Sequence, residues 1–257
     1  MLTLAAVLAL ALQADPAGNR IEPFADAGPV ATGIARHCNP DRRWCAHLLR
    51  SDHGNWVVRL DDGQGTGRHI ILTGEWDEAE YRIWPHLVRS AEGSILFGVQ
   101  RAASGGFSGG GWQASHLLLY RVRPDLPPDR QVEDGSVVLE LPLSASASIR
   151  ACFDDRDRRR RRDACSDEYS YEATIAVDPA RVGAMPVLRI STAASTYPGR
   201  RSRTEDSSQS PPLRRQDLVH WPDPVCSYVR TYRFDVAAGH YEPDRPVPSC
   251  GDYLDFE

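Results

Sequence analysis

The sequence reads Trp56-Val57-Val58-Arg59-Leu60 and, after the stretch Asp61-Asp62-Gly63-Gln64-Gly65-Thr66-Gly67, His69-Ile70-Ile71-Leu72-Thr73. Short runs of β-branched and aliphatic residues, separated by Asp and Gly, are typical of two antiparallel strands joined by a turn. The same pattern recurs along the chain and predicts an all-β fold.

Seven further runs of this kind follow. They comprise residues 82–88, 94–100, 116–122, 137–143, 169–177, 187–190 and 228–236. Eight or nine short strands, with turn signals every 8–12 residues or so, predict an antiparallel sandwich or barrel-like meander. One short helix is expected at residues 75–81. Residues 198–217 contain almost no apolar side chain and are expected to be disordered.

The composition narrows the class of protein. The chain has 257 residues, 41% of them apolar, and a formal net charge of −5. These values suit one large domain or two small ones and disfavour a nucleic-acid partner. All 30 basic residues are arginine. The lack of lysine excludes pyridoxal phosphate Schiff bases, Walker A loops and Ser-x-x-Lys acylases.

The N-terminal residues have the pattern of a secretory signal. Residues 2–12 are apolar apart from Thr3, and Gln13-Ala14-Asp15-Pro16 follows. A run of about 11 apolar residues is too short to cross a bilayer, but it matches the central region of a signal peptide. We predict a signal peptide over residues 1–14 and a periplasmic or secreted protein without a transmembrane segment. A buried N-terminal helix is the alternative.

The rest of the chain divides into a lead-in and a domain. Residues 15–36 are rich in Ala, Gly and Pro and are expected to form an extended lead-in. Residues 37–257 are expected to form a single all-β domain. A break at the Pro-rich stretch 124–135 would instead divide this domain into two sub-domains.

The six cysteines fall as three couples that are local in sequence: Cys38 with Cys45, Cys152 with Cys165, and Cys226 with Cys250. An even number of cysteines in an exported chain indicates disulfides, and proximity favours these three pairings. Zinc bound by the first couple and His47 is the alternative, although the spacing is not that of a structural zinc site.

We expect no metal and no cofactor. Asp61 and Asp62 could be interpreted as part of a calcium loop, but the adjacent glycines are better explained by a hairpin turn.

The stretch Gly106-Phe107-Ser108-Gly109-Gly110 fits the pattern Gly-x-Ser-x-Gly. With Ala35-Arg36-His37-Cys38 it resembles the nucleophile and histidine segments of trypsin-like serine proteases, which implies Ser108 as nucleophile. Phe107 stands where that family has aspartate, and His37 lies too close in sequence to Ser108 to be placed on a separate barrel. A nucleophile elbow would need a helix after Ser108, where the pattern is β. The favoured interpretation is a glycine loop between two strands. A hydrolase of an envelope polymer is the alternative.

A run of arginines is the first candidate binding site. It comprises Arg158, Arg159, Arg160, Arg161 and Arg162, between the middle cysteine couple. Guanidinium groups bind phosphate, sulfate and carboxylate in bidentate fashion. An exposed loop closed by a disulfide would therefore suit an anionic glycan or a lipid headgroup. A solvated loop is the alternative.

Trp112, beside the glycine loop, is a candidate for stacking on a sugar ring, and a core position is the alternative. Together these features predict an exported, non-catalytic envelope or ligand-binding protein, whose ligand the sequence does not identify.

Overall fold

The computed structural model describes residues 13–29, 35–51, 56–62, 67–72, 79–123 and 137–255, and these residues form sixteen strands and two α-helices. The strands are β1 (Gln13–Ala14), β2 (Arg20–Pro23), β3 (Ala25–Pro29), β4 (Ala35–Cys38), β5 (Cys45–Arg50), β6 (Trp56–Asp61), β7 (Gly67–Leu72), β8 (Glu80–Arg89), β9 (Ile95–Phe107), β10 (Gly110–Val122), β11 (Val137–Arg150), β12 (Ser166–Val177), β13 (Leu188–Tyr197), β14 (Trp221–Pro222), β15 (Val229–Asp235) and β16 (His240–Pro243). The helices are α1 (Asp155–Arg161) and α2 (Gly251–Leu254). The prediction of an all-β fold is confirmed, and the nine predicted strands correspond to β6–β13 and β15.

The described strands form two antiparallel sheets. The larger sheet has the order β1-β2-β8-β9-β10-β11-β12-β13-β15-β16, with β14 also paired to β13. The smaller sheet contains β3 to β7 in chain order. Consecutive strands are mostly neighbours, because a short turn returns the chain beside the strand just completed. Two pairings are not between consecutive strands, that of β13 with β15 and that of β2 with β8. Because β2 pairs with β8, the smaller sheet is an excursion of the chain between these two strands.

The first core lies between the two sheets. Phe24, Val58 and Ile70 come from the smaller sheet and its entry, and they pack with Leu87 and Phe97 of the larger sheet. Each of these side chains is completely buried. Residues 20–29, predicted to be an extended lead-in, supply both β2 and β3 and so connect the two sheets.

The second core lies within the larger sheet, which splits between β11 and β12. These two strands are paired only from Ser144 to Arg150 and from Ser166 to Glu172. Before Ser144, β11 pairs with β10 alone, and after Glu172, β12 pairs with β13 alone. The two parts of the sheet then pack face to face, with side chains of β8 to β11 against those of β12 to β16. The result is a β-sandwich built largely from one folded sheet.

All three predicted disulfides are present. They join Cys38 to Cys45, Cys152 to Cys165, and Cys226 to Cys250. The first links neighbouring strands of the smaller sheet. The second closes the chain around α1, and the third fixes the chain before β15 to the start of α2.

Three local predictions differ from the structure. Glu80 and Tyr81 were expected to end a helix but belong to β8, and residues 75–78 lie outside the described part of the chain. The glycine-rich stretch that includes Gly106 to Gly110 was expected to be a loop, but only Ser108 and Gly109 form the turn between β9 and β10. Helix α1 was not predicted. Its ends are nevertheless favourable, since Asp154 caps the N-terminus and arginines occupy the last turn.

The stretch proposed as a break between sub-domains, residues 124–135, lies outside the described residues. The strands on either side of it, β10 and β11, are hydrogen-bonded neighbours over most of their length. The two described strands directly before and after this stretch therefore belong to the same sheet.

The first core predicts that two phenylalanines contribute very differently to the free energy of unfolding. Phe97 is fully buried and its ring centroid lies 6.1 Å from that of Phe24 in an edge-to-face arrangement. We expect Phe97→Ala to lower the free energy of unfolding by about 3–5 kcal/mol, since it leaves a cavity. Phe107→Ala, at a half-exposed position of the hairpin, should cost less than about 1 kcal/mol. Urea unfolding would measure both, and equal losses would contradict the assigned core.

His86 predicts a pH dependence of stability. Burial lowers the pKa of this imidazole in the folded state, and its ring lies 4.9 Å from that of Trp84. The unfolded state therefore binds more protons, and the contribution of His86 to stability is present above pH 6.5 or so and is lost as pH falls below that value. Urea unfolding would measure the free energy of unfolding at pH 7.5 and at pH 5.5. The difference between the two pH values should be smaller for His86→Gln than for the original chain. If His86→Gln leaves this difference in the free energy of unfolding unchanged, His86 is not a cause of the pH dependence of stability.

Candidate functional site

A polar surface covers one face of the larger sheet where β9 to β13 run side by side. It begins in β11, where the sequence Ser144-Ala145-Ser146-Ala147-Ser148 alternates hydroxyl and methyl side chains. Successive residues of a strand point to opposite faces. The serines of β11 therefore share one face and the alanines the other.

The neighbouring strands continue this pattern. Gln113 of β10 lies opposite both Ser104 of β9 and Ser146 of β11. Ser146 lies opposite Ser170 of β12, which in turn lies opposite Ser195 of β13. One row of small polar side chains thus crosses five strands, each about 4.8 Å from the next.

A second row runs beside the first. Ser148 of β11 lies opposite Glu168 of β12, which lies opposite Tyr197 of β13. We call the surface formed by Ser104, Gln113, Ser146, Ser148, Glu168, Ser170 and Ser195 the serine-rich face.

The serine-rich face forms a cleft of about 510 Å³, which we call the polar cleft. All seven residues of the serine-rich face line it, and His220 lies at its border. The imidazole of His220 stacks near Tyr197, with ring centroids 5.0 Å apart. The hydroxyls of Ser170 and Ser195 are 2.9 Å apart and hydrogen-bonded to each other.

The opposite face of these strands is apolar and covered. Ala114, Ala145, Ala147, Tyr169, Tyr171 and Ala194 pack there against Tyr253 of α2 and the third disulfide. Burial raises the pKa of the phenols of Tyr169 and Tyr171 far above the usual range, and both stay protonated at physiological pH. This packing supports the strands from behind the serine-rich face.

Trp112 lies at the edge of the polar cleft. It lies opposite Gly105 and Ala147, and alternation directs its side chain away from the serine-rich face. The indole lies across Gly105, where a Cβ would be 2.6 Å from the indole Nε1, and it packs against the buried alanine and tyrosine cluster. Its main contacts are therefore those of a half-buried packing residue.

Ser108 is an exposed residue of the two-residue turn between β9 and β10. Gly109 completes the turn with φ at +94°, which explains the glycine there. Strands flank the turn on both sides, whereas a nucleophile elbow has a helix after the serine. Among the described residues, no hydrogen bond joins Ser108 to a histidine.

The five arginines do not share one exposed surface, contrary to expectation. Arg161 is buried and forms an ion pair with Asp167 of β12, and its Nε donates to the carbonyl oxygen of Ala164. Arg158 is paired with Asp163 at 3.0 Å. Helix formation separates consecutive side chains by about 100° around the axis, so the run cannot face one way.

Arg160 and Arg162 bind the segment that was expected to be disordered. Their guanidinium groups donate to the carbonyl oxygens of Ser210 (2.8 Å) and Leu213 (2.9 Å). The carboxylate of Asp252, in α2, accepts hydrogen bonds from the hydroxyl of Ser202 and from the backbone N–H of Arg203. The expectation of disorder over residues 198–217 is therefore wrong. Contacts to distant parts of the chain replace the missing apolar residues.

Three of the five arginine side chains border a smaller cleft of about 430 Å³. Arg158, Arg159 and Arg162 line it together with Asp155 and Asp163. Guanidinium and carboxylate groups alternate there, so the cleft carries little net charge.

The described residues contain no group of three or more His, Cys, Asp or Glu side chains that could hold a metal ion. Cys38 and Cys45, the thiols of the alternative zinc site, are joined to each other. Asp61 forms an ion pair with Arg59 at 3.1 Å.

The serine-rich face was not recognised in the sequence. The alternation over residues 144–148 was visible, but a single strand does not show which side is covered. The partners Gln113, Ser170 and Ser195 lie far apart in the chain, and only the register of the sheet brings them together.

No protein-family model matches the chain, and neither a curated protein nor a solved structure matches it. The fold and the cleft define it as a disulfide-linked antiparallel β-sandwich with an open polar cleft on one sheet face. The three disulfides are compatible with an extracellular location.

Neither α-helix in the described ranges has the length and apolar character needed to span a bilayer.

The arginine run predicts different effects for neighbouring residues. Arg161→Ala leaves the buried carboxylate of Asp167 without its main partner, and we expect a loss of about 3–5 kcal/mol in the free energy of unfolding. Arg159→Ala removes an exposed side chain and should change the free energy of unfolding by less than about 0.5 kcal/mol. Urea unfolding of both variants checks this. Similar effects of the two changes would mean that Arg161 is as exposed as Arg159.

Proposed function

We propose that this chain is an exported, non-catalytic protein that binds an uncharged glycan chain in the polar cleft. The observation that carries the proposal is the serine-rich face itself, where hydroxyl and amide side chains on adjacent strands line one cleft. The disulfides and the apolar N-terminal residues support export.

The chemistry of the polar cleft matches that of a sugar. A serine hydroxyl both donates and accepts hydrogen bonds, as sugar hydroxyls do, and Gln113 adds an amide with the same capacity. The row from Ser104 to Ser195 offers these groups at regular intervals across the strands. A glycan chain lying across the strands would meet a partner on each of them.

The rigidity of the face favours binding. Ser146 and Ser170 stand on central strands, each hydrogen-bonded on both sides, and the covered apolar face holds these strands from behind. Groups that are already in place lose little conformational entropy when a ligand binds.

Charge favours an uncharged glycan over the anionic ligand suggested by the arginine run. Glu168 is exposed in the polar cleft, and the exposed Glu172 stands four residues further along the same strand. Carboxylates accept hydrogen bonds from sugar hydroxyls and repel sulfate or uronate groups.

The hydrogen-bond and ring contacts around the serines of the polar cleft favour binding over hydrolysis as its function. The hydroxyl of Ser170 is bonded to that of Ser195 and the imidazole of His220 lies against Tyr197. A serine nucleophile needs a base within hydrogen-bond reach. Ser108, the alternative nucleophile, stands on a turn outside the polar cleft's lining.

The proposal predicts a loss of binding when the hydroxyls are removed. An array of neutral glucan, mannan and N-acetylglucosamine oligomers, with heparin and polygalacturonate for comparison, would identify the best ligand, and calorimetry would then measure its affinity. We expect Ser146→Ala together with Ser170→Ala to weaken binding about tenfold or more, since each hydrogen bond contributes roughly 1 kcal/mol.

Ser249→Ala is the matched control, because Ser249 is an exposed serine before α2 and outside the polar cleft. It should leave the affinity unchanged. Two results would contradict the proposal. One is that the original chain binds only the anionic polymers of the array, and the other is that the double variant binds with the same affinity as the original chain.

A further inference from the structure

Two exposed phenylalanines stand at one end of the larger sheet. Phe107 ends β9 and is 44% exposed, and Phe153 precedes α1 and is 65% exposed. Single exposed apolar residues are ordinary on protein surfaces, but two exposed rings at the same end of a sheet suggest an interaction site. Neither ring belongs to the cores described above.

Arg150 connects the two segments that carry these phenylalanines. Its backbone N–H donates to the carbonyl oxygen of Gly109, at the turn that follows Phe107, over 2.6 Å. Its guanidinium carbon lies 5.3 Å from the ring centroid of Phe153. The hairpin turn and the chain before α1 therefore meet at Arg150. We call Phe107, Arg150 and Phe153 the aromatic tip.

Helix α1 surrounds the aromatic tip with arginine. The backbone N–H of Phe153 donates to Asp157 within α1, which holds the helix against the tip. Arg156 and Arg159 are exposed, and no ion pair within the described part of the chain involves either of them. Arg158 is 61% exposed and shares its charge with Asp163.

The local charge differs in sign from that of the whole chain. Residues 150–163 contain six arginines outside the buried pair, namely residues 150, 156, 158, 159, 160 and 162, and four aspartates, namely residues 154, 155, 157 and 163. The local balance is thus about +2, whereas the chain as a whole carries −5. An anionic partner is therefore attracted to this end and repelled by the rest of the molecule.

We propose that the aromatic tip docks on a membrane surface with anionic headgroups. The two phenyl rings enter the boundary between headgroups and acyl chains, while Arg150 and the exposed Arg156 and Arg159 contact lipid phosphates. Exposed rings flanked by basic residues are the combination that such a surface binds. A soluble anion would use the arginines and gain nothing from the rings.

The docking surface is separate from the polar cleft. Phe107 and Phe153 do not line the cleft, and a protein docked through them leaves Ser146 and Ser170 accessible. The proposal therefore goes beyond glycan binding and does not depend on it.

Co-sedimentation of the oxidised full chain with lipid vesicles tests the proposal. The probes are vesicles of pure phosphatidylcholine and vesicles with about 30% phosphatidylglycerol, at low and at high salt. We expect binding to the anionic vesicles that weakens as salt is added. Phe107→Ser with Phe153→Ser should reduce the partition coefficient about tenfold or more. Arg156→Ser with Arg159→Ser should reduce it to a similar degree and remove most of the salt dependence.

Val236→Ser is the matched control, since Val236 is 84% exposed in the turn between β15 and β16. It should partition like the original chain. Near-ultraviolet circular dichroism would show that each variant is folded.

Three outcomes would overturn the proposal. The first is the absence of vesicle binding by the original chain, and the second is equal binding to neutral and anionic vesicles. The third is full binding by the double phenylalanine variant, because the arginines alone would then bind phosphate without insertion of the rings.

Discussion

Strand β10 is the constraint on which the structure depends, because it is packed on both faces. Leu118 and Tyr120 point into the core between the two sheets, and Leu117 and Leu119 point into the core between the two parts of the larger sheet. A register shift of one residue would exchange these sets. The pairing of β10 with β9 and β11 therefore decides which residues are buried along the whole length of the hairpin, down to Gln113 and Trp112.

Much of the fold could be predicted from the sequence, because its signals are local. Runs such as 94–100 and 169–177 are long enough, and alternate clearly enough, to indicate strands, and the cysteines pair with near neighbours. Residues 15–50 were harder. The strands there are short and contain Pro, Gly and charged residues, and β3 and β4 become strands through pairing with partners further along the chain.

The candidate site could not be predicted from the sequence. It depends on the register of the strands and on which face of the sheet is covered by other parts of the chain. The serines of β11 are visible in the sequence, but their role follows from Gln113 and Ser170 standing beside them and from α2 covering the other side. The prediction that the arginine run forms one exposed surface was wrong for a related reason. Charge density alone does not show that Arg161 turns inward to Asp167 or that Arg160 and Arg162 bind carbonyl groups, and the sequence gives no sign that residues 198–217 supply those groups.

The tethering of residues 198–217 has a consequence for the lifetime of the protein. Proteases cleave segments that open locally and enter an active site in extended form. This segment contains several arginines, which trypsin-like enzymes favour, yet carbonyl groups at Ser210 and Leu213 are held by α1, and Ser202 is held by Asp252. The anchors at α1 and α2 are themselves fixed by disulfides. A long polar segment is thereby held against local opening without a hydrophobic core of its own.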